Sequence, residues 1–169
     1  MRARIALALL VVLGAACAYV PVDVESDAVA VSRSRTWTWL PRPPVAHGEA
    51  AFALVDERVR AAIERDLAAR RFQPVEKERP DYLLTYYAAL DKPIESAAIT
   101  YAAGVPMTAK LVPSYPQGSL VIDVLDAKTG KLIWRGVGRR VFDAKQTPEE
   151  RKERIDDAVA SVVDEFAPS

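Results

Sequence analysis

Cys17 and His47 are the only cysteine and the only histidine in the chain, so chemistry that needs a cysteine or a histidine would have to be built on one of each. A single cysteine makes no internal disulfide and, by itself, no zinc site. His47 follows Pro41, Pro43 and Pro44 in a loop and has no sequence-adjacent partner for a triad or a ligand set, so it reads as a solvated side chain. Among the carboxylates, Asp123 and Asp126 invite pairing as acid and base. Three residues along a strand, however, send their side chains to opposite faces, and Asp126 reads as the residue that sets a turn. Asp81, just ahead of a strand, reads the same way. Trp134-Arg135-Gly136 is the nearest approach to a functional signature; Trp134 reads as core and Arg135 as exposed or ion-paired. A glycine-rich phosphate loop, a nucleophile elbow and metal-ligand spacing are all missing from the sequence. The expectation is a protein with no catalytic residues, no cofactor and no metal.

Cys17 has another use. Arg2 and Arg4 form a short positive start, Ile5 to Leu13 is an apolar run, and Gly14-Ala15-Ala16 supplies small residues before the cysteine. Such a run is too short for a bilayer core, which needs about 20 apolar residues. The pattern is that of a secretory signal peptide over residues 1–16. Leu13-Gly14-Ala15-Ala16-Cys17 resembles a lipobox, with the leucine one place further out than usual, which makes Cys17 the expected lipidation site. Residues 17–19 would then be a lipidated tether, and residues 20–169 a single folded domain. Ala18, rather than aspartate, after the cysteine points to the outer membrane of a double-membraned host, with the domain facing the periplasm. The rival reading is an ordinary secreted protein cut near this point.

The elements that follow are those of one ordinary globular domain. The 169 residues are 50% apolar and 27% charged, enough to bury a core without staples. The 23 basic and 23 acidic residues cancel, and loss of Arg2 and Arg4 with the leader leaves a slight acidic excess, the opposite of a nucleic-acid reader. Val20 to Val24, with Pro21 inside, predicts an edge strand at best. Arg35 to Leu40 predicts a better one, with Trp37 and Trp39 on one face, packed on the core or offered as an aromatic platform. Phe52, Val55, Val59, Ile63 and Leu67 make an apolar stripe that predicts a helix over 49–71, with Arg70 and Arg71 at its negative end. Asp81 to Leu90 predicts a strand with Tyr82, Leu84 and Tyr86 on one side.

The strongest signal is a hairpin over Gly118–Gly136. Strands at 119–125 and 132–140 flank Asp126-Ala127-Lys128-Thr129-Gly130, whose glycine is free to take a positive φ. Thr147-Pro148-Glu149-Glu150 then announces a closing helix, with an N-cap hydroxyl, proline at the first position and glutamate three residues after the cap. Ile155, Val159, Val162 and Phe166 are its buried stripe. The predicted fold is α+β: a two-layer sandwich in which a mostly antiparallel sheet of four to six strands carries two amphipathic helices on one face. Residues 91–117 contain Pro93, Pro106, Pro113 and Pro116, which exclude a long helix. Tyr101, Met107, Leu111, Val112 and Tyr115 there would form an apolar partner surface if exposed; the other reading is an edge strand plus loop.

These features together resemble the bacterial lipoprotein family named domain of unknown function 4136. The resemblance is carried by Thr36 with Trp39-Leu40, by Leu67-Ala68-Ala69-Arg70-Arg71-Phe72 with Val75, and by Pro80-Asp81-Tyr82-Leu83-Leu84-Thr85-Tyr86-Tyr87. Its most distinctive part is Tyr115, Gly118, Leu120-Val121-Ile122-Asp123, Asp126-Ala127-Lys128-Thr129-Gly130 and Leu132-Ile133-Trp134-Arg135-Gly136. Pro148-Glu149-Glu150-Arg151, Val159, Val162, Phe166 and Pro168 complete it over residues 20–168. The resemblance implies a signal peptide, usually a lipobox, and a compact α/β fold; it implies no catalytic residues. Three functions follow as expectations: a lipid-anchored envelope component that meets a protein partner, a lipoprotein that binds a small apolar or lipid-like ligand between sheet and helices, and an unrecognised periplasmic hydrolase.

Overall fold

The structure is a computed structural model that describes residues 22–26, 35–40, 49–76, 79–90 and 115–167. Expectations placed on the leader, on Cys17 and His47, and on residues 91–114 lie outside these residues. The elements run β1 (Val22–Ser26), β2 (Thr36–Trp39), α1 (Glu49–Ala69), β3 (Gln73–Pro74), β4 (Tyr82–Ala88), β5 (Leu120–Asp126), β6 (Leu132–Gly138) and α2 (Pro148–Phe166). They form one sheet in the order β1-β6-β5-β4-β2-β3. The pairs β1–β6, β6–β5 and β5–β4 are antiparallel, while β4–β2 and β2–β3 are parallel. The α+β sandwich expected from the sequence is therefore the observed one, mostly antiparallel with a parallel edge.

Apolar alternation explains which side the helices take. Tyr82, Leu84 and Tyr86 of β4 and Leu120, Ile122 and Val124 of β5 enter one core with Trp37 and Trp134. Val55, Val59, Ile63 and Leu67 from α1 and Ile155, Val159, Val162 and Phe166 from α2 close that core from above. Phe166 lies 5.2 Å from Trp134, 5.6 Å from Phe72 and 5.9 Å from Tyr82, ring centre to ring centre, so the helix end is seated in an aromatic cluster. The helices run parallel to each other: Arg58 donates to Pro148 O, Arg65 pairs with Asp156 and Arg70 with Asp164, in the same order along both.

Local chemistry sets the helix ends. At α2, Thr147 Oγ1 accepts from Glu150 N and the Glu150 carboxylate accepts from Thr147 N, the reciprocal capping box read from the sequence. At α1, the last helical residue is Ala69 rather than Arg71. Phe72 N donates to Leu67 O and Arg71 N to Ala68 O, both at 3.0 Å, a Schellman closure. Arg71 takes the left-handed position of that motif at φ 65, where glycine is the usual residue. Cations do reach the negative end, by donation: Arg70 Nη1 bonds Asp66 O, and Arg35 Nη1 bonds Arg70 O at 2.6 Å.

Candidate functional site

The hairpin β5–β6 holds the most unusual polar group of the described residues. Asp123 and Arg135 face each other directly across the two strands. Arg135 donates from Nε to Asp123 Oδ1 at 2.6 Å and from Nη2 to Asp123 Oδ2 at 2.5 Å, a bidentate fork. Both side chains are nearly inaccessible, 4% exposed for Arg135 and 0% for Asp123. Alternation places the pair on the sheet face away from the helices, beside a small cluster of Tyr115, Val121 and Val137 with Tyr87 against it. The sequence offered Arg135 as exposed or ion-paired; it is ion-paired, and buried as well.

Asp126, three residues on, is held differently. Its Oδ1 accepts from Thr129 N and from Thr129 Oγ1, both at 2.7 Å, and Gly130 at φ 67 completes the reversal. The regular β4–β5 register puts Asp123 and Asp126 on opposite faces, as the spacing required. The hydrogen bond from the Thr129 hydroxyl holds the Asp126 carboxyl below the usual carboxylate range. Asp81 is a third structural carboxylate. It accepts from Thr36 N at 2.9 Å and from the Thr36 hydroxyl, while its own amide donates to Thr36 Oγ1. This reciprocal clasp fastens the start of β2 to the start of β4, which is what the parallel pairing needs and what the local sequence did not disclose.

Trp37 and Trp39 share the helix-side face, with rings 5.3 Å apart and edge to face. Trp37 is 1% exposed, and Trp39 packs on the core as a partly buried ring. The Arg60 guanidinium lies 4.4 Å over Trp39, and Trp39 Nε1 donates to Glu64 at 2.8 Å. Asp56 pairs with Arg60 at 3.1 Å and receives the Tyr86 hydroxyl. The exposed tryptophan platform considered from the sequence is thus occupied from within by α1.

An open cleft of about 430 Å³ lies at the foot of α2, lined by Asp143, Lys145, Gln146, Glu150, Glu153, Arg154 and Asp157. Its walls mix both charges. Among the described residues, no group of three or more His, Cys, Asp or Glu is placed to hold a metal ion. No described helix is long and apolar enough to cross a membrane. Of the five residues named as a partner surface, Tyr115 is the one described. It is 4% exposed and sits in the cluster beside the buried ion pair. Tyr101, Met107, Leu111 and Val112 lie outside the described residues.

Comparison with solved structures returns the same architecture at low identity. A DUF4136 family protein from Bacteroides thetaiotaomicron is 15% identical with a TM-score of 0.53, over 87% of this chain and 95% of that one. A PDZ domain protein from Parabacteroides distasonis is 12% identical with a TM-score of 0.53, over 89% of this chain; the chain spans 36% of that protein's length. A PelC dodecamer subunit from Paraburkholderia phytofirmans is 11% identical with a TM-score of 0.48, over 89% of this chain and 99% of that one. At these identities the likeness to the first two is one of fold. No curated protein matches the chain. The family described as domain of unknown function (DUF4136) matches residues 20–168, from just before β1 to just past α2, and the chain belongs to that family.

Proposed function

We propose that this protein is a lipid-anchored component of the bacterial cell envelope, exported through residues 1–16 and acylated at Cys17, whose domain makes protein contacts rather than catalysing a reaction. One observation carries the non-catalytic part. Each carboxylate that the sequence offered for chemistry is spent on the fold: Asp81 on the β2–β4 clasp, Asp123 on Arg135, Asp126 on its own turn. A general acid or base must instead meet its substrate at hydrogen-bond distance. The anchor rests on Arg2, Arg4, the apolar run 5–13 and the small residues before Cys17. Acyl chains contribute about 0.8 kcal/mol for each buried methylene, enough with two or three chains for stable attachment.

The rival reading, an apolar ligand between sheet and helices, needs space that Trp37, Ile63, Leu67, Ile155 and Phe166 already fill. The deciding measurement is the intact mass of the protein extracted from membranes of its native host. A mass of residues 17–169 plus diacylglycerol, with or without an amide-linked chain, is the expected result. An unlipidated mass would overturn the anchor and turn attention to soluble ligands. Site-specific photo-crosslinking in those membranes, from exposed positions on both helices, should then trap a discrete protein partner.

A further inference from the structure

The fold has two ends, and the tether selects between them. Val22, Gly138, Leu120 and Ala88 form one row across the sheet, since Val22 and Leu120 both pair with Gly138, and Ala88 pairs with Leu120. At this end β1 begins, β6 leaves the sheet, and the chain crosses to the start of α2. The turn at 126–130 marks the other end, where Tyr82 pairs with Asp126 and the C-terminal residue of α2, Phe166, packs on Tyr82. We infer that, in the anchored protein, the end carrying Gly138 and residues 143–147 faces the lipid headgroups, and that the Asp126–Gly130 turn points away from the membrane as the most distant part of the described fold. The inference rests on the proposed anchor at Cys17 and goes beyond it by assigning which surface meets lipid.

The argument is one of lengths. From Cys17 to Val22 the chain has five residue steps, and even fully extended it spans about 17 Å. The six residue steps of β5, from Leu120 to Asp126, cover about 20 Å at strand rise, and the turn at 127–130 lies beyond its end. α2, with its 19 residues, is about 28 Å long at helical rise. Placing the turn on the bilayer would carry Val22 further from the surface than the tether reaches. Charge is not the selector: exposed Arg140 and Lys145 at the tethered end stand beside exposed Asp143, Glu149 and Glu150. The contact is imposed by the short tether, with both helix N-termini turned toward the membrane and both C-termini toward the periplasm.

The test uses the full, acylated protein in vesicles of phosphatidylethanolamine and phosphatidylglycerol that carry a headgroup-linked quencher. Lys145→Cys at the tethered end and Lys128→Cys in the turn each receive one fluorophore; both positions are exposed, and the acylated Cys17 does not compete for label. Quenching several-fold stronger at position 145 than at 128 is the expected result. Equal quenching, which a domain lying on its side would give, or stronger quenching at 128, overturns the orientation while the anchor stands. Flotation with the vesicles is scored in the same samples against Cys17→Ser. If the wild-type chain does not float, the anchor itself fails and the orientation falls with it, an outcome distinct from floating with the wrong end quenched.

Discussion

Ile122 and Asp123 are neighbours on β5, 2% and 0% exposed, and their surroundings are made of different chemistry. Ile122 looks toward the helices, into a core of branched side chains from both of them and of aromatic rings. Asp123 looks the other way, into a guanidinium held in a bidentate fork. Burial on the first face is a sum over area and packing, so its losses are graded. Burial on the second is conditional. An ion pair without water is tolerated because each charge satisfies the other, and it turns strongly unfavourable when one is removed. The two faces of one strand should therefore answer very differently to substitutions of equal size.

The largest expected effect is on the charged face. Asp123→Ala removes the countercharge from the buried Arg135 guanidinium and should cost about 3–5 kcal/mol, read from the denaturant midpoint. Replacing both partners, Asp123→Leu with Arg135→Met, should recover most of that loss, because apolar substitutes for a buried pair are often neutral or better. A single replacement costing less than about 1 kcal/mol would mean that solvent relieves the pair, and the contrast between faces would collapse. On the helix face, Ile122→Ala should cost about 2–5 kcal/mol and Ile122→Val about 0.5–1.5 kcal/mol, a graded response. Asp123→Asn changes volume even less than Ile122→Val, yet it should fall on the steep side because it removes the countercharge.

Gly136 sharpens the comparison from the facing strand. A Cβ there would sit 2.3 Å from Trp134 Cη2 and 2.6 Å from Val162 Cγ1, so the indole of Trp134 lies where a side chain would otherwise go. Gly136→Ala should then destabilise by about 1–3 kcal/mol through overpacking, with α2 rather than the charged face giving way. Loss of near-ultraviolet ellipticity from the tryptophans, ahead of any change in the far ultraviolet, would show that displacement. An unchanged spectrum would mean that the layer has slack at this point.

Much of the helix face was legible in the sequence because periodicity is a local signal. The stripe Val55, Val59, Ile63, Leu67, the alternation Tyr82, Leu84, Tyr86, and the capping box at Thr147 all sit within a few residues of chain, and each recurs in the structure. The charged face was not legible in the same way. Asp123 and Arg135 are twelve residues apart, and only the register of the hairpin, with its irregularity at Val124/Leu125, makes them opposite neighbours. The β2–β4 clasp joins residues 45 apart, so Asp81 could be read as a turn residue but not as the partner of Thr36. The two-residue β3 is too short to leave a pattern at all. What escaped was long-range pairing of polar groups, for which composition and period carry no signal.

The smallest effect belongs to the second aspartate of the strand, and it is the one with a pH signature. Asp126 is partly exposed, and the Thr129 hydroxyl and amide together outweigh the modest burial that opposes its ionisation, so its carboxyl titrates below the ordinary range. For a carboxyl whose folded pKa is depressed, the unfolded chain binds more protons over the interval between the two values. The stabilisation is thus complete above the unfolded value and is lost as pH falls through the folded one. Asp126→Asn keeps the oxygen that accepts from Thr129 and removes the titration. Its stability should lie slightly below that of the wild type near neutrality, and the two curves should converge as the pH drops below the usual carboxylate range. Denaturant midpoints measured along that acid limb decide the matter: parallel curves would show that the turn gains nothing from the charge of Asp126. In that case the contrast between the two aspartates would rest on Asp123 alone.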